Sequence, residues 1–389
     1  MNLQEILYPL TTNTFFNEYF EKKHVVIKNK DRNIFENLLS IKDLDAILFS
    51  LTNHHPDFRL ADHSKTEKPD HKKYTIKNSD IIDPLKFSKA FESGSTLVMS
   101  GLQNKIYSLR KLTNELETFF KHRVQTNIYL TPKKSQGFST HYDTHDVFIF
   151  QFEGSKNWRI YDQSVPLADK TTPFEKDEFI PGNVIDEFTL EKGDVLYIPR
   201  GVVHDAYCTN KNSGHITTGI LGKTWAEHVA EVLIEKSKHI LPLRKFTKFH
   251  AMDENNKNKE IEEVTNVVTK LIKGLQLDEE IIDDFYSRQK PIAQGHLHQI
   301  INIDNINHNS KIKIREKNKF RMLANCKKID VKFYDLKLTM PIACESFLNN
   351  LLSQNKPLPI NQIECNLDDD SKIMVTRQLT KIGALDIAS

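Results

Sequence analysis

The triplet His141-Tyr142-Asp143, answered much later by His204, constrains this chain more than any other feature. Two histidines and one carboxylate can occupy three positions on a single metal ion and leave its opposite face open. That donor set suits non-haem Fe(II) oxygenases. Residues i and i+2 of a strand share a face, so His141 and Asp143 converge on one ion if this segment is extended. The third ligand must come from another strand, and the stretch between Asp143 and His204 has room for several. An H-x-D triplet alone arises by chance. It gains specificity from a distal histidine that follows the strand and turn Gly193-Asp-Val-Leu-Tyr-Ile-Pro199-Arg-Gly201. If His141 and Asp143 share a face, His145 lies on it too, so parity alone leaves His145 open as a ligand. Asp143 is favoured, because a third histidine makes a less open, more zinc-like site.

The surroundings fit a barrel. From Gln125 to Leu221 the sequence reads as short strands and turns: 125–130, 146–152 ended by Glu153-Gly154, 157–161, 186–190, the turn Glu191–Asp194, 195–198 and 215–221. Strands at this spacing predict a jelly roll or double-stranded β-helix. Before it the pattern is mixed. Helical spacing over Phe15–Phe20, a strand over His24–Lys28, a polar loop over Asp62–Lys73 and a strand over Ser95–Ser100 lead to a helix over Leu109–His122. That helix sets Leu112, Leu116, Phe119 and Phe120 on one side. After Thr224 helices dominate: 226–239, 260–275 with Val264, Val267, Val268, Leu271 and Ile272 as its apolar stripe, and 278–286. Such a stripe needs a partner inside the chain or in a second subunit. Beyond Asp304 strands return, with 332–338 alternating, followed by helices over 344–352 and 368–382, the last ending at Gly383. The fold class expected is α+β.

A chain of 389 residues is long for one domain, and 39% apolar residues supply real cores. Charges nearly cancel at +2, which argues against holding a polyanion by bulk charge; direct nucleic-acid binding is not expected. The four cysteines, Cys208, Cys326, Cys344 and Cys365, form no C-x-x-C pair and read as reduced thiols of a cytoplasmic protein. The N-terminus lacks a signal-peptide pattern, and no apolar run is long enough to span a bilayer.

Three further residues bear on chemistry. Lys156 shares a strand face with Trp158 and Ile160. A lysine among apolar neighbours inside a barrel is costly unless it meets an anion, and the distal carboxylate of a metal-chelating 2-oxo acid is one such anion. A solvated lysine at a strand end is the equally simple reading. Asn127 and Tyr129 alternate on the preceding strand and can both point inward, although a core tyrosine with a satisfied hydroxyl is the plainer account. Ser213, Thr217 and Thr218 could line the far wall, but such residues are common in strands.

Taken together, Asn127-Ile-Tyr-Leu-Thr-Pro, Ser135-Gln-Gly-Phe138, His141-Tyr-Asp-Thr-His-Asp-Val-Phe148, Gln151, Gly154-Ser-Lys-Asn-Trp158 and Gly193–Gly201 with His204 resemble the JmjC ribosomal-oxygenase family. These are cupin-like Fe(II)/2-oxoglutarate protein hydroxylases. The resemblance is strong over about 90–222. It implies iron on His141, Asp143 and His204. It also implies 2-oxoglutarate held at its distal carboxylate by Lys156, with Asn127 and Tyr129 in the same pocket. The match around Ser213-Gly-His215 is looser. The layout implies an oxygenase domain over 1–222, a helical dimerisation region over 223–300 and a winged-helix-like domain over 301–389. The implied activity is hydroxylation of a side-chain carbon in a protein, commonly an Arg or His of a ribosomal protein. A peptide or small-molecule hydroxylase and a non-catalytic cupin binding protein are the alternatives.

Overall fold

Every residue from Asp146 to Phe152 is buried, which is what a strand covered on both faces requires. It belongs to the first of two units, Met1–Gly222 and Lys223–Ser389, into which this computed structural model divides; residues 1–64, 69–175, 179–247 and 249–388 are described.

In the first unit helices α1 (Leu3–Leu7), α2 (Thr12–Glu18), α3 (Ile41–Ser50), α4 (Pro84–Glu92) and α5 (Tyr107–Phe120) accompany nine strands. These are β1 (Val25–Ile27), β2 (Phe58–Ala61), β3 (Thr96–Ser100), β4 (Arg123–Thr131), β5 (Asp146–Ser164), β6 (Val184–Glu191), β7 (Val195–Ile198), β8 (Val202–Tyr207) and β9 (Ser213–Leu221). The sheet runs β1-β7-β5-β9-β4-β3-β2, and β6 and β8 also pair with β5. All these pairings are antiparallel.

The turn expected at Glu153-Gly154 is absent. β5 is one 19-residue strand that pairs with β7 and β9 through its first half and with β6 and β8 through its second. The register slips between Gln151 and Glu153. Gly154 takes φ +59°, where a Cβ would lie 1.9 Å from the Asn212 carbonyl oxygen. A glycine bulge thus bends the strand from one layer into the other without ending it. Strand β8, which carries His204, was not among the expected strands.

Other boundaries differ less. Helix α5 starts at Tyr107 and ends at Phe120; Leu109, Leu112 and Leu116 are buried, but Phe119 is 47% exposed. The expected loop over 62–73 falls partly outside the described residues. Its end is a single 3-10 turn, His71–Lys73, capped by Asp70.

The second unit contains α6 (Trp225–Ser237), α7 (Glu254–Lys273), α8 (Leu277–Ser287) and α9 (His296–Ile301), then β10 (Lys311–Ile314), β11 (Phe320–Ala324), β12 (Lys328–Phe333), β13 (Leu336–Pro341), α10 (Glu345–Ser353), β14 (Leu358–Pro359), α11 (Asp369–Lys381) and β15 (Leu385–Ala388). The alternating stretch 332–338 is a hairpin rather than one strand. The chain reverses at Tyr334-Asp335, with Tyr334 at φ +55°. The core gathers Ile312, Ile329, Val331, Phe347, Leu348, Leu351 and Leu379. Helix α7 starts six residues before the expected Glu260 because Asp253 caps it by accepting from the Asn256 amide. None of its residues is buried. All four cysteines are unpaired. Among the described residues no helix is long and apolar enough to cross a membrane.

Candidate active site

His141 and His204 face each other across an isolated antiparallel bridge, each amide donating to the other's carbonyl at 3.0 and 2.8 Å. Asp143 follows on the same face, and its carbonyl accepts from the Gly201 amide at 2.8 Å. Gly201 has φ +80°, and a Cβ there would lie 1.7 Å from the Val165 carbonyl oxygen, so the tight turn before β8 needs glycine. This turn aims His204 inward.

The result is one cluster. Ligand-capable atoms of His141, Asp143 and His204 all lie within 4.8 Å of one another. His145 is outside it; its ring rests against Gly219, where a Cβ would come within 2.5 Å of its Cδ2. Each clustered imidazole donates its Nδ1 proton to a carbonyl, His141 to Ser139 at 2.8 Å and His204 to Val202 at 2.9 Å. That fixes the tautomer and leaves both Nε2 lone pairs free for a metal. Burial, and then His141, push the His204 imidazole down to about 4, so it stays neutral and able to ligate. Burial alone would raise the Asp143 carboxyl, but the neighbouring imidazoles of His141, His204 and His145 bring it below its usual value. The donor set, the tautomers and the ionisation states therefore fit a divalent cation.

Residue 205 faces the other way. The buried Asp205 carboxylate accepts from Arg159 through Nε and Nη2 at 2.8 and 3.0 Å, from the Tyr161 hydroxyl at 2.7 Å and from the Thr140 hydroxyl at 2.7 Å. These bonds tie β8 to β5 and to the residue preceding His141.

Deeper in the barrel lies a polar wall. Lys156 is only 5% exposed, and burial pushes its ammonium down to about 8. Its Nζ donates to Thr131 Oγ1 at 3.1 Å, and no carboxylate among the described residues pairs with it. Thr131 also accepts from the Thr96 hydroxyl at 3.1 Å, so its own proton is free to donate. His215 stacks on Tyr129 at 5.0 Å and meets the edge of Trp158 at 5.7 Å, and Trp158 lies 5.9 Å from His204. Burial, and then Lys156, hold His215 well below its usual value and neutral. Burial, and then the Asp143 carboxylate, push the Tyr129 phenol up to about 12. Asn127 stands two residues before Tyr129, and its Oδ1 accepts from Gln125 at 3.2 Å. The buried atoms Gln151 Oε1, Trp158 Nε1 and His215 Nδ1 find no partner among the described residues. An unpaired buried cation beside orphaned polar atoms fits an anionic ligand.

Sequence reasoning missed Thr131, His215 and Asp205. The alternation Asn127, Tyr129, Thr131 could have found the first. Residues 102–228 match the JmjC domain family.

Over that stretch the chain is similar to JmjC-domain proteins. Its relatives include the bifunctional lysine-specific demethylase and histidyl-hydroxylase NO66 of Dictyostelium discoideum, 34% identical over 59% of this chain and 45% of that protein. Ribosomal oxygenase 2 of Bos taurus is 29% identical over 59% of this chain and 50% of that one. The chain spans about half the length of the curated relatives it matches. Its fold is that of YcfD, a ribosomal oxygenase from Escherichia coli solved with cobalt and 2-oxoglutarate. The TM-score is 0.58 at 18% identity, covering 98% of this chain and 99% of that one. The matched stretch, 102–228, includes the triad and Lys156 and runs past Gly222, where the first unit ends.

Proposed function

We propose that this protein is an Fe(II)- and 2-oxoglutarate-dependent oxygenase that hydroxylates a side-chain carbon of a protein, an Arg or His of a ribosomal protein being the favoured substrate. The observation that carries this reading is the buried Lys156, without an acidic partner among the described residues, on the wall behind a histidine–aspartate–histidine cluster. The names and bound ligands of the relatives support it.

His141, Asp143 and His204 hold the iron, the two imidazoles through Nε2. Lys156 and the free proton of Thr131 hold the distal carboxylate of 2-oxoglutarate, with Asn127 and Tyr129 along the same strand. Iron with 2-oxoglutarate supplies O2 activation, coupling decarboxylation to succinate with oxygen insertion into a C–H bond. The chain's part is to orient the cosubstrate and to exclude water around it. The Tyr129, His215 and Trp158 rings do this as a dry, neutral lining.

The stripe on α7 supports a homodimer formed through 223–300; the same reading takes 301–389 as a winged-helix-like domain, and the four unpaired cysteines favour a cytoplasmic location. The test is mass spectrometry of host ribosomal proteins with and without this protein, alongside 2-oxoglutarate decarboxylation by the purified enzyme. One added oxygen on a ribosomal Arg or His supports the reading. Formaldehyde release from a methylated substrate would indicate demethylation instead. An absence of Fe(II)- and O2-dependent decarboxylation would leave only a non-catalytic cupin.

A further inference from the structure

The sheet that holds the cosubstrate wall has a second face. Leu97, Met99, Leu130 and Gly214 lie there, back to back with Tyr129, Thr131 and His215. Helices α3 and α4 cover this face incompletely. Between them and the sheet is a cleft of about 380 Å³, within the range of ligand pockets. Leu44, Leu48, Phe91, Met99 and Leu130 make it apolar, and Ile41 and Phe49 stand on the lining 46% and 50% exposed.

The charge is one-sided. Two carboxylates, Asp45 on α3 and Glu153 at the β5 bulge, are among the lining residues; no lysine, arginine or histidine is. Both acids are exposed, and neither has an ion pair or side-chain hydrogen bond among the described residues. An apolar trough with two unpaired carboxylates complements a ligand with an apolar body and cationic flanks. The half-exposed Ile41 and Phe49 are left for a partner to cover, as larger ligands cover exposed apolar patches at an interface.

We propose that this cleft docks a basic amphipathic segment of a partner polypeptide, its apolar side chains set between α3 and α4 and its Arg or Lys residues toward Asp45 and Glu153. This is helix-in-groove recognition with an electrostatic rim. It is separate from the metal cluster and does not require the oxygenase reading.

The experiment is fluorescence anisotropy with the full-length protein and a labelled helical peptide carrying leucines at i, i+3, i+4 and i+7 and arginines elsewhere. Saturable binding that weakens with salt is expected, with no binding of the same peptide made with glutamates in place of arginine. Phe49→Ser should weaken it at least about five-fold, and Asp45→Lys should weaken it about three-fold or more while flattening the salt dependence. Both positions are exposed, so thermal melts should match wild type and exclude unfolding. Equal binding of the glutamate peptide, or unchanged affinity in both variants, would overturn the proposal. So would laurate binding that displaces the arginine peptide, which would assign the cleft to an anionic amphiphile.

Discussion

Two apolar segments of this chain meet different fates. In β5 the run Val147-Phe-Ile-Phe-Gln-Phe152 is buried at every position, while in α7 the stripe Val264, Val267, Val268, Leu271 and Ile272 leaves no residue buried, with Ile272 46% exposed. The strand finds β7 on one side and β9 on the other, and rings from α2 and α5 lie against Phe148. The helix meets chiefly α6 and the turn Leu241–Arg244 of its own unit, which leave Val264, Val267, Val268 and Leu271 half-buried and Ile272 exposed. Periodicity tells which side of an element is apolar; it does not tell what covers that side.

If the barrel is fully covered in one chain and α7 only in part, the two should fail independently. The largest effect belongs to the triad. His141→Ala or His204→Ala should abolish decarboxylation of 2-oxoglutarate and strip bound iron, measured by turnover and metal analysis, because one of three ligands is gone. Assembly should be unchanged; full turnover with normal metal content would sink the iron assignment. Next, Val268→Glu with Leu271→Glu should turn a dimer into a monomer by light scattering while leaving metal content as it was. A wild-type monomer at micromolar concentration would break the comparison from the other side.

A smaller effect is expected at Lys156. Lys156→Ala should raise the apparent KM for 2-oxoglutarate roughly ten-fold or more, since a charge-assisted hydrogen bond is worth about 1.5–3 kcal/mol. Iron affinity should hold, and Lys156→Arg should rescue only in part because its planar fork misplaces the carboxylate. An unchanged KM in both variants would leave the cosubstrate pocket unassigned.

The same lysine gives a pH signature. Its folded value near 8 lies below the usual 10.5 of the unfolded chain. Between those values the unfolded chain binds more protons, so stability of the ligand-free protein should rise with pH across that window, by at most on the order of 3 kcal/mol. Lys156→Met should lose that rise in chemical denaturation. The smallest effect is at α5: Phe119→Ala, which removes a half-exposed ring stacked on Phe16, should cost about 1 kcal/mol, against about 2–5 kcal/mol for the buried Leu116→Ala.

Much of the site was legible because strand parity is a strict geometric rule. His141 with Asp143, and Asn127 with Tyr129, could be placed on shared faces from numbering alone. The bend at Gly154 was not legible as a bulge, because glycine after a charged residue also makes a turn, and only the Asn212 carbonyl decides between them. Phe119 does lie on the expected side, stacked on Phe16 at 5.6 Å, but stays 47% exposed because a helix face is wider than the surface that covers it. Strand β8 was hidden in part because Asp205 interrupts its apolar pattern, and only the structure reveals Arg159, Tyr161 and Thr140 waiting for that carboxylate.

That carboxylate has a practical consequence. In small zinc modules the ion holds the peptide together, and chelation unfolds it. Here the anchoring of β8 lies on the side of the strand away from the cluster and involves no metal. The empty receptacle should therefore keep its shape through dialysis against a chelator and accept a fresh ion without refolding. Spectroscopic substitutes such as cobalt could then be exchanged in freely, turning the protein into its own optical probe.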